Sequence, residues 1–171
     1  SERRTNRLMN PHLSVGLPAF LTKGAGMFSG MMLTQYTQGS LVCENRVLSH
    51  PASVESIPTS GSQEDHVSMG WGAGRKLNDV LRNTAHVIAV ELVCAAQGCE
   101  QRAPLEPAPG TQAILAAVRT AVPPLVADRP VGADIEAVAQ LIEDGGIGAA
   151  IADTLAQAGA KVAGTATTEA G

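Results

Sequence analysis

The sequence predicts an all-α protein: a long-helix bundle with short helices towards its C-terminal end. Three observations carry that prediction. The apolar residues are mostly aliphatic, with one Trp, one Tyr and two Phe in 171 residues, which suits packed helices better than sheets. Leu77, Leu81, Ile88, Leu92 and Ala95 recur at intervals of three, four or seven residues and form a single helical stripe. Pro and Gly clusters cut the rest of the chain into segments of helical length.

In chain order, residues 1–23 read as a short helix or turn, followed by an irregular segment around Pro11, Gly16 and Pro18. Residues 24–48 contain no Pro and space Met27, Met31, Leu41 and Leu48 at roughly helical intervals, so a helix bearing Met27, Met31 and Met32 is expected there. Met31 and Met32 are adjacent and cannot face the same partner; one can line a pocket while the other packs. Residues 49–62, rich in Pro, Ser and Gly, form a loop.

The long helix is expected from about Asp65 to about Gln101. It would exceed roughly 50 Å and needs partners along its length. Ser62-Gln63-Glu64-Asp65 fits a capping box, with Ser60-Gly61-Ser62-Gln63 as a competing register. Residues 103–111, with Pro104, Pro107 and Pro109, form a linker. Amphipathic segments follow at about 111–122, 133–144 and 146–158, and residues 159–171 should fray. The chain thus divides into a long-helix segment (1–102), C-terminal helices (103–144) and a Gly/Ala-rich tail (145–171).

Charge and composition exclude several function classes. The net charge of −4 leaves no basic footprint for nucleic acid. No apolar run approaches the ~20 residues that span a membrane. The polar start SERRTNRLMNP lacks the apolar core of a secretory leader. The chain opens on Ser1 without an initiator Met, as a piece of a longer protein would. Cys43, Cys94 and Cys99 lack zinc-like spacing and read as buried free thiols of a reducing, cytoplasmic protein.

The stretch Ser49–Gly70, SHPASVESIPTSGSQEDHVSMG, concentrates polar chemistry. Gln63, Glu64, Asp65 and His66 stand together where the long helix should begin. In the capping register Glu64 occupies the first turn, where the helix dipole favours negative charge by ~0.3–1 kcal/mol. A carboxylate there suits accepting a proton or a hydrogen bond from substrate. On the residues alone, plain dipole complementation by Glu64 and Asp65 is the favoured reading, because acidic first turns are common. Gln63 then reads as a capping amide and His66 as a satisfied helix histidine. Glu64, Asp65 and His66 cannot converge on a metal, because successive helix side chains diverge by about 100°.

GLPAFL (Gly16–Leu21), SGMMLTQYT (Ser29–Thr37), LVCENRVLSHPASVESIPTSGSQEDHVSMG (Leu41–Gly70) and ELVCAAQG (Glu91–Gly98) together resemble the C-terminal part of the histidine ammonia-lyases, within the aromatic amino-acid lyase family. The resemblance runs over about residues 1–143. It implies an all-α homotetramer with active sites assembled from several subunits. It also implies non-oxidative conversion of L-histidine to trans-urocanate and ammonia, by a methylidene-imidazolone electrophile made from an internal Ala-Ser-Gly. It carries Glu64 onto the family's active-site glutamate, with Gln63 beside it, and Met32 onto a pocket position that is Met in the histidine enzymes and Lys in the phenylalanine enzymes. The phenylalanine enzymes tend to have Gln where Glu64 stands. A carboxylate can accept from imidazole N–H, whereas a phenyl ring would leave it unpaired and desolvated.

The sequence departs from the family in lacking Ala-Ser-Gly, and its only tyrosine, Tyr36, does not match the family's catalytic tyrosine. The isolated chain is therefore expected to be inactive, and a catalytically empty helical scaffold or interaction module is the alternative. Separately, GGIGAAIADTLAQAGAKVAGTATTEAG (Gly145–Gly171) resembles the first strand–helix unit of short-chain dehydrogenases, with Gly146 and Gly148 in the phosphate loop. That would make the tail a fragment of an NADP-dependent reductase. The first glycine, the strand before the loop and the catalytic Ser, Tyr and Lys are missing, so packing as an Ala-rich helix is preferred.

Overall fold

Most of what the structure describes is arranged along one long helix. The computed structural model describes residues 1–54 and 56–159. Its helices are α1 (Glu2–Met9), α2 (Met32–Leu48), α3 (Gly70–Glu100), α4 (Pro109–Ala121), α5 (Gly132–Glu143) and α6 (Gly146–Gln157), with 3-10 turns at Ala19–Leu21 and Ser60–Ser62. Among the described residues there are isolated bridges but no strands. The fold is the all-α, long-helix type that the sequence predicts.

The core lies on the C-terminal half of α3. Ala85, Ala89, Val90, Val93, Cys94 and Ala96 are buried there against Met9, Leu17, Leu21 and Met31 on one side and Val118, Val122, Leu125, Ile135 and Val138 on the other. Each fully buried valine contributes on the order of 1.5–3 kcal/mol relative to exposure. Small residues let the neighbours close in. A Cβ on Gly98 would already lie 3.4 Å from Leu17 Cδ1.

Polar side chains at the same end of α3 fasten the loops. The buried Gln97 pairs with the Leu125 backbone like a strand neighbour: its Nε2 donates to the Leu125 carbonyl at 2.9 Å and its Oε1 accepts the Leu125 N–H at 3.0 Å. Gln101 Nε2 donates to the Leu21 carbonyl at 2.6 Å, and Arg102 donates to the Ser14 carbonyl at 2.7 Å. Arg119 of α4 grips Glu100 with two bonds of 2.6 and 2.8 Å. On the other flank Gln38 of α2 donates to the Val87 carbonyl at 2.7 Å.

The short helices follow their punctuation. Pro109 starts α4 at a first-turn position, where its missing N–H costs nothing. Gly145, at φ +77°, makes the reversal between α5 and α6.

Several expectations need correction. The long helix starts at Gly70, not Asp65, and at 31 residues measures about 46 Å. Neither capping box forms: Ser60, Ser62, His66 and Met69 all have positive φ, which no helix can run through. Residues 24–31 are turns, so Met27 is exposed in a loop and only Met32 onward is helical. Leu77, Leu81 and Ile88 face outward and are not core; the buried face of α3 is the Ala/Val/Cys face beside them. Of the three free cysteines only Cys94 is fully buried. The reductase resemblance finds no support. Helix α5 stands directly ahead of the proposed phosphate loop, Gly146 and Gly148 lie inside α6, and the proposed second strand, Gly159–Val162, falls mostly outside the described residues.

Gln97→Leu should destabilise the chain by roughly 2–4 kcal/mol, because both Leu125 backbone groups lose their partner inside the core. Urea unfolding measures this. A second expectation concerns His86, whose Nε2 lies 2.8 Å from a Glu136 carboxylate oxygen and joins α3 to α5. The Arg82 carbonyl raises the His86 pKa above its ordinary 6.5, opposed by burial and aided by Glu136 and Glu143. A raised folded-state value means the stabilisation is full below about pH 6.5 and is lost as pH rises through the folded-state value. The stability gap between the parent and Glu136→Gln should therefore be widest in mildly acidic solution and shrink as pH rises through the folded-state value, as unfolding curves across pH will show.

Candidate functional site

Glu64 sits on a loop that closes on itself. The Thr59 N–H donates to the Glu64 carbonyl at 3.1 Å, and the Glu64 N–H donates back to the Thr59 carbonyl at 3.4 Å. The residues between turn through left-handed conformations, with φ of 53° at Ser60, 64° at Gly61 and 69° at Ser62. The Thr59 Oγ1 and Ser60 Oγ both donate to Glu64 Oε2, at 3.0 and 3.1 Å. The carboxylate is thereby placed six residues ahead of α3, and the helix dipole does not act on it as the sequence suggested. Gln63, Glu64, Asp65 and His66 are all exposed. The loop is tied down at its edges, where the Ser53 hydroxyl donates to the Ser68 carbonyl and Lys76 Nζ to the His50 carbonyl.

Met32 is placed by a separate set of contacts. Met31 is buried in the core, and Met32 opens α2 at the rim of a cavity of about 610 Å³. Phe20 and one face of α2, from Met32 through Gln35 and Tyr36 to Cys43, line that cavity. Neither Gln63 nor Glu64 lines it. The entry into α2 is pinned by Asp128, whose carboxylate accepts the Ser29 N–H at 2.8 Å and the Gly30 N–H at 2.9 Å. Gly30 is obligatory there: at φ +56°, a Cβ would fall 2.5 Å from the Phe20 carbonyl oxygen.

The residues that position the site, Thr59, Ser60, Gly30 and Asp128, are not singled out by sequence reasoning. Asp128 lies in a Pro-rich stretch that reads as a spacer, 98 residues from Gly30. Thr59 and Ser60 carried a local signal, two hydroxyls four and five residues before a carboxylate, that the capping-box reading absorbed.

Chemically, the arrangement offers a hydrogen-bond acceptor on a rigid loop and a soft apolar wall beside an open cavity. Among the described residues no group of three His, Cys, Asp or Glu side chains could hold a metal. Cys94 behaves as core: burial pushes its thiol up to about 12, against a contact with the Thr34 hydroxyl at 3.6 Å. Native-state maleimide labelling should therefore modify Cys43, on the cavity wall, and spare Cys94 until the chain unfolds. Mass mapping of the labelled sites checks this, and early labelling of Cys94 would contradict the packing of α2 on α3.

Comparison with known proteins gives a consistent result. The family model for aromatic amino acid lyase matches residues 1–120. Histidine ammonia-lyase from Symbiobacterium thermophilum is 56% identical over 151 residues, covering 88% of this chain and 30% of that protein. Its counterpart from Gloeobacter violaceus is 55% identical over 145 residues, covering 85% of this chain and 28% of that protein. Among solved structures, histidine ammonia-lyase from Trypanosoma cruzi superimposes with a TM-score of 0.84 at 38% identity, over 99% of this chain and 34% of that one. Tyrosine aminomutase from Streptomyces globisporus also gives a TM-score of 0.84, at 41% identity over 90% of this chain and 29% of that one. The chain spans less than a third of the length of the curated relatives it matches.

Proposed function

The chain belongs to the aromatic amino acid lyase family, and from that premise we propose that it forms part of a histidine ammonia-lyase. The reaction is elimination of ammonia from L-histidine: the Cα–N bond breaks, a Cβ proton is lost, and trans-urocanate remains. The observation that carries this reading is Glu64, a carboxylate held on a closed loop with a free oxygen. Fold alone does not choose the substrate, since a tyrosine aminomutase superimposes as well as a histidine enzyme does. Residue chemistry favours a ring that carries a donor, as imidazole does. Glu64 can accept from an imidazole N–H, and Met32 offers a wall without charge.

In this reading Glu64 binds and orients the imidazole, Gln63 flanks it, and Met32 contributes an apolar face of the substrate pocket. The family's methylidene-imidazolone supplies the electrophile. Its Ala-Ser-Gly precursor does not occur in these 171 residues, so they do not hold that group. The site is completed by other parts of a longer chain or by other subunits. Exposed apolar side chains support assembly: Leu33, Tyr36 and Val47 on α2, and Trp71, Leu77 and Leu81 on α3. We place the assembly as a homotetramer in the cytoplasm, consistent with three cysteines that are free. No described helix is long and apolar enough to cross a membrane.

Glu64→Ala in the complete enzyme should lower urocanate formation by roughly 100-fold or more, the scale of a lost hydrogen bond to a charged group with its desolvated partner. The oligomer should form normally. Urocanate absorbance growth from L-histidine, with size-exclusion on the same sample, measures both. Wild-type turnover by the variant would sink the assignment.

A further inference from the structure

Glu64 is the only carboxylate among the described residues that receives two side-chain hydroxyls, and both reach the same oxygen. The Thr59 and Ser60 hydroxyls stand 3.0 and 3.1 Å from Oε2, while Oε1 accepts no hydrogen bond among the described residues. A carboxylate oxygen has two lone pairs, so two hydroxyl donors occupy Oε2 and leave Oε1 uncommitted. The asymmetry is built into the backbone. Thr59 and Glu64 exchange main-chain hydrogen bonds, and the left-handed turn through Ser60, Gly61 and Ser62 brings both hydroxyls to one side of the carboxylate. An exposed glutamate would otherwise sample several rotamers, and freezing it on substrate binding would cost entropy.

Resting on the reading of Glu64 above, we propose that Thr59 and Ser60 are positioning residues for substrate recognition. They fix the Glu64 carboxylate with Oε2 satisfied and Oε1 presented as the single open acceptor for an imidazole N–H. This makes the loop a specificity device. A side chain with an N–H donor completes the carboxylate's hydrogen bonding, whereas a hydrocarbon ring leaves Oε1 desolvated and unpaired. The two hydroxyls contact no reacting atom and act only through Glu64.

A double-mutant cycle in the complete lyase carrying this segment tests the proposal. Thr59→Val with Ser60→Ala removes both donors while nearly preserving shape. With L-histidine as substrate and urocanate absorbance as the readout, kcat/KM should fall roughly 10- to 100-fold, as expected for hydrogen bonds to a charged group. Thr59→Ser, which keeps a hydroxyl, should retain most of the activity. In a Glu64→Ala background, which removes the acceptor, the same pair of substitutions should change the residual kcat/KM for L-histidine by less than about 2-fold, because the residue they act through is gone. Equal losses in both backgrounds would overturn the proposal, since the hydroxyls would then act on the fold. An unchanged kcat/KM in the Val/Ala variant would overturn it too. Wild-type kinetics in Glu64→Ala alone would instead strike at the reading of Glu64 itself.

Discussion

The constraint on which the rest of the structure depends is the pairing of the Gln97 side chain with the Leu125 backbone. A carboxamide carries one donor and one acceptor in the geometry of a peptide group, so a single side chain can stand in for a strand. Here it joins the Leu125 loop, and more distantly the 3-10 turn ending at Leu21, to α3. Holding Leu125 in the core also brings the following Asp128 to the entry of α2. The same helix end holds Leu21 through Gln101, and Phe20 in turn accepts the Met31 N–H at 2.9 Å. A continuous set of contacts therefore runs from the middle of the core to the first residue of α2, where Met32 sits. Phe20 and Leu21 both adopt left-handed backbone conformations unusual for bulky residues. Such conformations persist only where the surroundings over-determine them, and the glutamine side chains at the end of α3 do so.

The two sides of the candidate site are held by different means. Met32 depends on tertiary contacts spanning about a hundred residues, through Asp128. Glu64 depends on contacts within six residues. A loop of this kind carries its chemistry with it and needs only to be delivered to the right place. Delivery falls to α3 and the end of α2, which bracket residues 49–69. The surroundings of Met32 and of Glu64 can thus vary separately.

Much of this was legible in the sequence, and the parts that were not share a cause. The short helices at Pro109–Ala121, Gly132–Glu143 and Gly146–Gln157 lie within a residue or two of the expected segments, because Pro and Gly mark their ends locally. The existence of α3 was plain from its periodicity. Its start was not, because the Ser-Gln-Glu-Asp run satisfies a capping pattern that outweighs the weaker signal of the Thr59–Glu64 closure. Its buried face was misjudged as well. The leucines of α3 are larger and draw the eye, yet the core selects the Ala, Val and Cys face, where neighbouring elements approach closely. Gly146 and Gly148 gave half a phosphate-loop pattern, but a glycine run without a preceding strand folds as the start of a helix. For the candidate site, the sequence offered Glu64 and Met32 through family resemblance. It concealed the residues that orient them, whose partners are set by three-dimensional closure.

The uneven burial of α3 gives that helix a mechanical character. From Ala85 onward it is clamped on several sides, while from Gly70 to about Asn83 most of its side chains meet solvent. Among the described residues the last side-chain hydrogen bond to α2 before the loop is Asn83 to Asn45, at 3.1 Å, beyond which Lys76 reaches the His50 carbonyl. The helix is a cantilever roughly four turns long, fixed at one end and loaded at the other with the Glu64 loop. Over the ~21 Å of those turns, an angular change of about 5° at the fixed end moves the tip by roughly 2 Å. Whatever covers the exposed face of those turns in an assembly therefore does more than shield apolar surface. It sets the stiffness of the beam, and with it how steadily the acceptor oxygen is held in place.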